Sequence, residues 1–133
     1  MKALVTGASH GLGRALTEQL LADGHDVVAL DRDIDALEKL AVSSRGACRA
    51  YLVDMANPES IARFFDRTPD LTYDLVILNA GISATGRFEE IPAAAYERLI
   101  AINAAAPLRI AAQLVGEGHM NPKSRIVFIS SLS

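Results

Sequence analysis

Thr6-Gly7-Ala8-Ser9-His10-Gly11-Leu12-Gly13, the stretch TGASHGLG at residues 6–13, follows a short apolar run and precedes a segment with helical spacing. Glycine inside an element costs roughly 0.5–1 kcal/mol relative to alanine, so the glycines at 7, 11 and 13 need a local reason. One reason is a backbone approached by a ligand: a strand, a glycine-rich turn and a helix start aim main-chain amides and the positive helix end at a phosphate. A side chain at Gly11 or Gly13 would then obstruct either a pyrophosphate or the packing of helix on strand. The other reason is a tight strand-to-helix turn with no ligand, for which the same glycines suffice.

Outward from this turn, short β-rich apolar runs recur at 3–5, 27–30, 51–53, 74–78 and 125–130. They are continuous rather than alternating, as in strands covered on both faces. Between them lie helical patterns. Leu12, Leu16 and Leu20 share one face of the first, Ile34, Leu37 and Leu40 of the second, and Ile61, Phe64 and Phe65 of the third. Asn57 and Pro58 read as N-cap and first helical position. A fourth helix is expected from about Pro92 to Val115, ended by Gly116 and Gly118. The order βαβαβαβαβ predicts an α/β fold, a doubly wound parallel sheet with right-handed crossovers. The stretch from Ile82 to Ile91 is the longest between elements and suits a ligand-facing loop.

The chain has 133 residues, a single domain's worth. Its net charge of −3 and lack of a basic block argue against nucleic acid and anionic membrane as partners. Cys48 is the only cysteine, so no internal disulfide forms and a buried core thiol is expected. The start MKALVTG lacks the apolar core and cleavage site of a signal peptide. Residues 93–115 are apolar but carry Glu97, Arg98, Asn103, Pro107, Arg109 and Gln113, too many interruptions for a bilayer span. A cytoplasmic location is the expectation.

Asp31 ends the second strand, 20 residues after Gly11, where a carboxylate accepts hydrogen bonds from an adenosine ribose. It would repel a 2′-phosphate, which favours NAD over NADP; Arg32 and His10, able to reach a phosphate, act the other way. In the fourth helix, Pro107 lacks the N–H that would bond the carbonyl of Asn103, so a kink is expected and that carbonyl is released.

The spacing Thr-Gly-x-x-x-Gly-x-Gly at 6–13 resembles that of the short-chain dehydrogenase/reductase family. Four further segments carry the resemblance: Asp54 after the third strand, Asn79-Ala80-Gly81 after the fourth, Asn103 in the fourth helix, and IVFISSLS at 126–133. The resemblance implies a Rossmann-type sheet ordered 3-2-1-4-5, spanning residues 1–133 as a single domain. It implies cofactor contacts at Thr6, Gly7, Ser9, His10, Gly11, Leu12, Gly13, Asp31, Arg32, Asp54, Met55, Asn79, Ala80 and Gly81. It assigns Asn103 and Ser131 to the catalytic positions, with the Asn103 carbonyl holding a water of the proton relay. The implied activity is hydride transfer between a nicotinamide and an alcohol or carbonyl.

The resemblance also implies a general acid/base tyrosine whose pKa, about 10 when unperturbed, is lowered by a lysine four residues on. The residues four beyond Tyr51, Tyr73 and Tyr96 are Met55, Ile77 and Ile100. The expectation is therefore the cofactor-binding part of such an enzyme, inactive alone. Self-association through an uncovered fifth strand and fourth helix is also expected. Two alternatives stay open: a non-catalytic dinucleotide-binding module, and a flavodoxin-like binder of another phosphate ligand. The chain suggests no metal site.

Overall fold

A computed structural model describes residues 1–130. Five strands, β1 (Lys2–Thr6), β2 (Asp26–Asp31), β3 (Cys48–Leu52), β4 (Tyr73–Leu78) and β5 (Met120–Phe128), form one sheet in the order β3-β2-β1-β4-β5. Every pairing is parallel: Leu4 lies opposite Val28 and Val76, Ala29 opposite Ala50, and Ile77 opposite Val127. The predicted doubly wound sheet and its strand order are borne out.

Alternation along the strands divides the core between the two faces. Leu4, Val28, Leu30 and Val76 join Ile61, Phe64 and Phe65 of α3 (Pro58–Arg67) and Ile110 and Leu114 of α5 (Ala106–Gly116). Val5, Val27, Ala29 and Ile77 face the other way, onto Leu16 and Leu20 of α1 (Gly11–Ala22) and Leu37 of α2 (Ile34–Ser43). Cys48 is buried among them, and desolvation pushes its thiol pKa up to about 11, so it is unreactive near neutral pH. Leu12 departs from expectation: it is 53% exposed, and Gly13 and Thr17 take the buried stripe at the start of α1. The close approach of α1 to β1 leaves no room there for a leucine.

The helix starts follow their local signals. Asn57 Oδ1 accepts the Glu59 N–H at 3.0 Å with Pro58 behind it, and Asp33 Oδ1 accepts the Ala36 N–H at 3.2 Å. That bond first, and then His10, holds the Asp33 carboxyl below the usual carboxylate range. Asp74, at the start of β4, is lowered by the Lys2 N–H and by Asn121.

The fourth helical run is interrupted. α4 (Ala93–Ile100) passes into a π turn at Ala101–Ala105 before α5 begins, and the Ala106 N–H reaches back to the Ala101 carbonyl. The π turn lies one step before Pro107, whose ring and missing N–H bar the ordinary bond to Asn103; the expected kink is a local widening. Gly118, with φ of +76°, closes the run: its N–H meets the Val115 carbonyl while the His119 N–H meets that of Leu114. Gly116 is simply the last helical residue.

By length and composition Ala93–Gly116 is apolar enough to cross a membrane, despite its interrupting polar residues. In the fold Ile102, Ala106, Ile110 and Leu114 are buried, while Ile100, Leu108 and Val115 are exposed. β5 also starts earlier than expected, at Met120. Residues 121–124 bulge out of the ladder between the Tyr73–Met120 and Leu75–Arg125 pairs, with Lys123 at a positive φ of 62°.

Candidate functional site

Strand order reverses between β1 and β4, and at the C-terminal ends of these strands side chains part to leave a cleft of about 230 Å³. The glycine turn forms one wall. Gly7 has φ of +65°, and a Cβ there would lie 2.9 Å from the Ala80 Cα. At Gly13 a Cβ would fall 2.0 Å from the Gly7 carbonyl oxygen and 2.5 Å from Asn79 Nδ2. Gly11 differs: its φ is +53° but a Cβ would meet nothing within 4 Å, so its need is conformational and its outer side faces solvent.

Helix α1 begins at Gly11 without a side-chain cap and without an acidic residue in its first turn. Its N-cap, His10, instead directs Nε2 to Asp33 at 2.8 Å. The first amides of α1 therefore lack the side-chain partner that Asp33 gives α2 and Asn57 gives α3.

Polar side chains brace the turn from behind. Thr6, nearly fully buried, accepts the N–H groups of Asn79 and Ala80 at 2.9 and 3.0 Å, locking the end of β1 to the end of β4. Asn79 Nδ2 donates to the Gly7 carbonyl at 3.3 Å. Asp31 Oδ2 accepts both the Ser9 hydroxyl, at 2.6 Å, and the Ser9 N–H, at 3.1 Å, while Oδ1 accepts the Arg32 N–H at 2.7 Å. Ser9 is fully buried, so this carboxylate fixes the turn's shape besides bordering the cleft.

The match to a protein-family model of short chain dehydrogenases runs over residues 1–133. The chain belongs to the short-chain dehydrogenase family. It is 33% identical over 98% of its length to the NADPH-dependent 1-acyldihydroxyacetone phosphate reductase of Saccharomyces cerevisiae, of which it spans 46%. A short-chain dehydrogenase from Sphingobium yanoikuyae in complex with NADPH superposes with a TM-score of 0.85 at 33% identity, over 98% of this chain and 54% of that one. A short-chain dehydrogenase/reductase from Burkholderia multivorans with bound NADP gives 0.84 at 29% identity, over 98% and 58%. The chain thus spans about half the length of these relatives.

Within this family's frame, nine of the sequence-derived cofactor residues border one cleft: Gly7, His10, Asp31, Arg32, Asp54, Met55, Asn79, Ala80 and Gly81. Thr6, Ser9 and Gly13 are buried behind it, and Gly11 and Leu12 are exposed at the start of α1. Asp54 also shapes the turn into α3: its Oδ1 accepts the Ala56 N–H at 3.0 Å, and its own N–H reaches Ser60 Oγ at 2.9 Å.

Asn103 does more than the kink implied. Its side-chain oxygen accepts the Ile82 N–H at 2.8 Å and its Nδ2 donates to the Ile82 carbonyl at 2.7 Å, closing a ring that holds the segment after β4 against the π turn. A Cβ on Gly81 would sit 3.2 Å from that oxygen. Ser131 lies outside the described residues; Ser130 is exposed beyond β5. Sequence reasoning missed Val53, Ile82 and Ile102 as cleft-lining residues. Val53, Ile82 and Ile102 stand next to the named Asp54, Gly81 and Asn103, and only that adjacency marked them.

Proposed function

We propose that this chain is the cofactor-binding portion of a short-chain dehydrogenase/reductase and binds a nicotinamide dinucleotide across the β1–β4 crevice. The observation that carries the reading is the uncapped start of α1, presented by a turn in which Gly7 and Gly13 exclude any side chain. The diphosphate would lie against the amides at Gly11 to Gly13. The adenosine ribose would meet Asp31, the adenine would lie between Asp54 and Arg32, and Asn79 to Gly81 would flank the nicotinamide side. When bound, the nicotinamide supplies or accepts hydride. In this reading Asn103 fixes the wall at Ile82 and Ser131 orients a substrate oxygen.

The preference for NAD drawn from Asp31 is weakened by that residue's partners. Three donors already face its two oxygens, which offsets its repulsion of a 2′-phosphate, while the Arg32 side chain borders the cleft with no carboxylate partner among the described residues. NADP(H) is accordingly expected to bind at least as tightly as NAD(H), in line with the NADP(H) complexes of the similar structures. Calorimetric titration of the 133-residue chain with both dinucleotides and with FMN tests the reading. Dinucleotide binding with FMN silent is expected, and NAD tighter than NADP by about tenfold, 1.4 kcal/mol, overturns the preference. Because none of the three tyrosines has a lysine four residues on, these residues by themselves are expected to bind cofactor without turnover.

Self-association belongs to the same reading. Among the described residues β5 lies at the sheet edge, with Val127, Phe128 and, just beyond the strand, Ile129 exposed, and Ile100, Leu108 and Val115 form an apolar stripe along α4 and α5. Sedimentation is expected to give a dimer or larger species; a monodisperse monomer at high micromolar concentration counts against it.

A further inference from the structure

Beside the cleft, between the edge strand β3 and helix α3, lies a second depression of about 440 Å³ that no part of the dinucleotide reading uses except at its rim. Its floor is aromatic: Tyr51 and Phe64 meet edge to face with centroids 5.2 Å apart. Three arginines line it, Arg32 just after β2 and Arg63 and Arg67 on α3, against the single acidic residue Asp54. Arg63 and Arg67 are four residues apart, so their side chains project from the same side of the helix.

None of the three arginines pairs with a carboxylate among the described residues, although Arg14 and Arg87 do. Glu59 and Asp66, the acidic residues of α3, form no ion pair with them either. The Ser60 hydroxyl, whose oxygen accepts the Asp54 N–H, keeps its own proton to donate at the same rim. In a chain of net charge −3, three arginines lining one depression, none of them ion-paired among the described residues, mark a local positive field. Their planar forks suit tetrahedral oxyanions with more than one charge.

We propose that this depression is an anion site that takes a phosphate group, with Arg63 and Arg67 as its principal donors and Arg32 shared with the cleft. Two sources carry that chemistry: a phosphate ester on the adenosine side of the dinucleotide, and a free phosphorylated small molecule. Because Arg32 borders both spaces, a free phosphate here and a 2′-phosphate in the cleft would draw on one side chain and compete.

The test titrates inorganic pyrophosphate into the 133-residue chain with the crevice filled by saturating NAD, and titrates NAD and NADP separately, comparing wild type with Arg63→Ala/Arg67→Ala. Both positions lie on the helix surface, away from the glycine turn, so NAD affinity serves as the folding control and is expected to stay within about twofold. Pyrophosphate affinity is expected to fall at least about tenfold, the loss of one or more charge-assisted hydrogen bonds. If NADP weakens in parallel, the cofactor's own phosphate reaches the site; if NADP is unmoved, the source is a free phosphate, and pyrophosphate is then expected to weaken the binding of NADP but not of NAD to wild type through the shared Arg32. Equal pyrophosphate affinity in both proteins, or none measurable for wild type at millimolar concentration, overturns the proposal. NAD binding in the same samples reports on the crevice reading independently, so failure of one is distinguishable from failure of the other.

Discussion

Replacing Gly13 by alanine is expected to cost about 3 kcal/mol or more in urea unfolding and to abolish dinucleotide binding, at the upper end of what overpacking produces. The added methyl would fall 2.0 Å from a backbone oxygen, that of Gly7, which no rotamer change can move aside. To make room, α1 must lift from β1 or the Gly7 peptide must turn. Either motion breaks the Asn79 Nδ2 contact to that oxygen and shifts the α1 amides away from the crevice. Gly11→Ala is the control that separates sterics from backbone conformation. Its methyl meets nothing, so it bears only the left-handed φ of +53°, about 1–2 kcal/mol. Gly11→Ala as damaging to stability as Gly13→Ala would mean that backbone conformation rather than the helix–strand approach makes glycine necessary here.

These two glycines also mark how far the sequence could be read. Their spacing announced a strand, a turn and a helix, and the continuous apolar runs announced a sheet covered on both faces; residue order then left few topologies open. Local chemistry was legible wherever one residue type implies one geometry. Asn57-Pro58 starts α3, Gly118 closes α5, and Pro107 disturbs the turn before it. Exposure of Leu12 was not legible, because helical period assigns a face but not the distance between helix and strand; that distance is set by Gly7 and Gly13 together.

The side-chain partners at the site were also hidden. Asn103 closing a ring with Ile82, and Ser9 held by Asp31, join residues far apart in sequence whose hydrogen-bonding capacity has many other outlets. The grouping of Arg32 with Arg63 and Arg67 depends on α3 crossing beside the end of β2, a matter of tertiary packing alone. Polar residues announce that a partner exists. The fold decides which.

Asp31→Ala is expected to act on stability and on cofactor choice at once, and the two effects have separate causes. The substitution strips the partner from the fully buried Ser9 hydroxyl and from the Ser9 N–H, leaving donors that water reaches poorly, with an expected loss of about 2–4 kcal/mol in stability. Adding Ser9→Ala removes one orphaned donor, so the double variant is expected to recover part of that loss, a coupling readable in a double-mutant cycle. For the ligand, the carboxylate that would grip the ribose hydroxyls disappears together with its charge. NAD affinity is expected to fall, while NADP gains from relief of repulsion beside Arg32, so the NADP-to-NAD affinity ratio rises by about tenfold. Stability loss with an unchanged ratio would make Asp31 a brace for the turn alone. A shifted ratio without stability loss would instead mean that Ser9 finds another acceptor and that the carboxylate acts on the ribose.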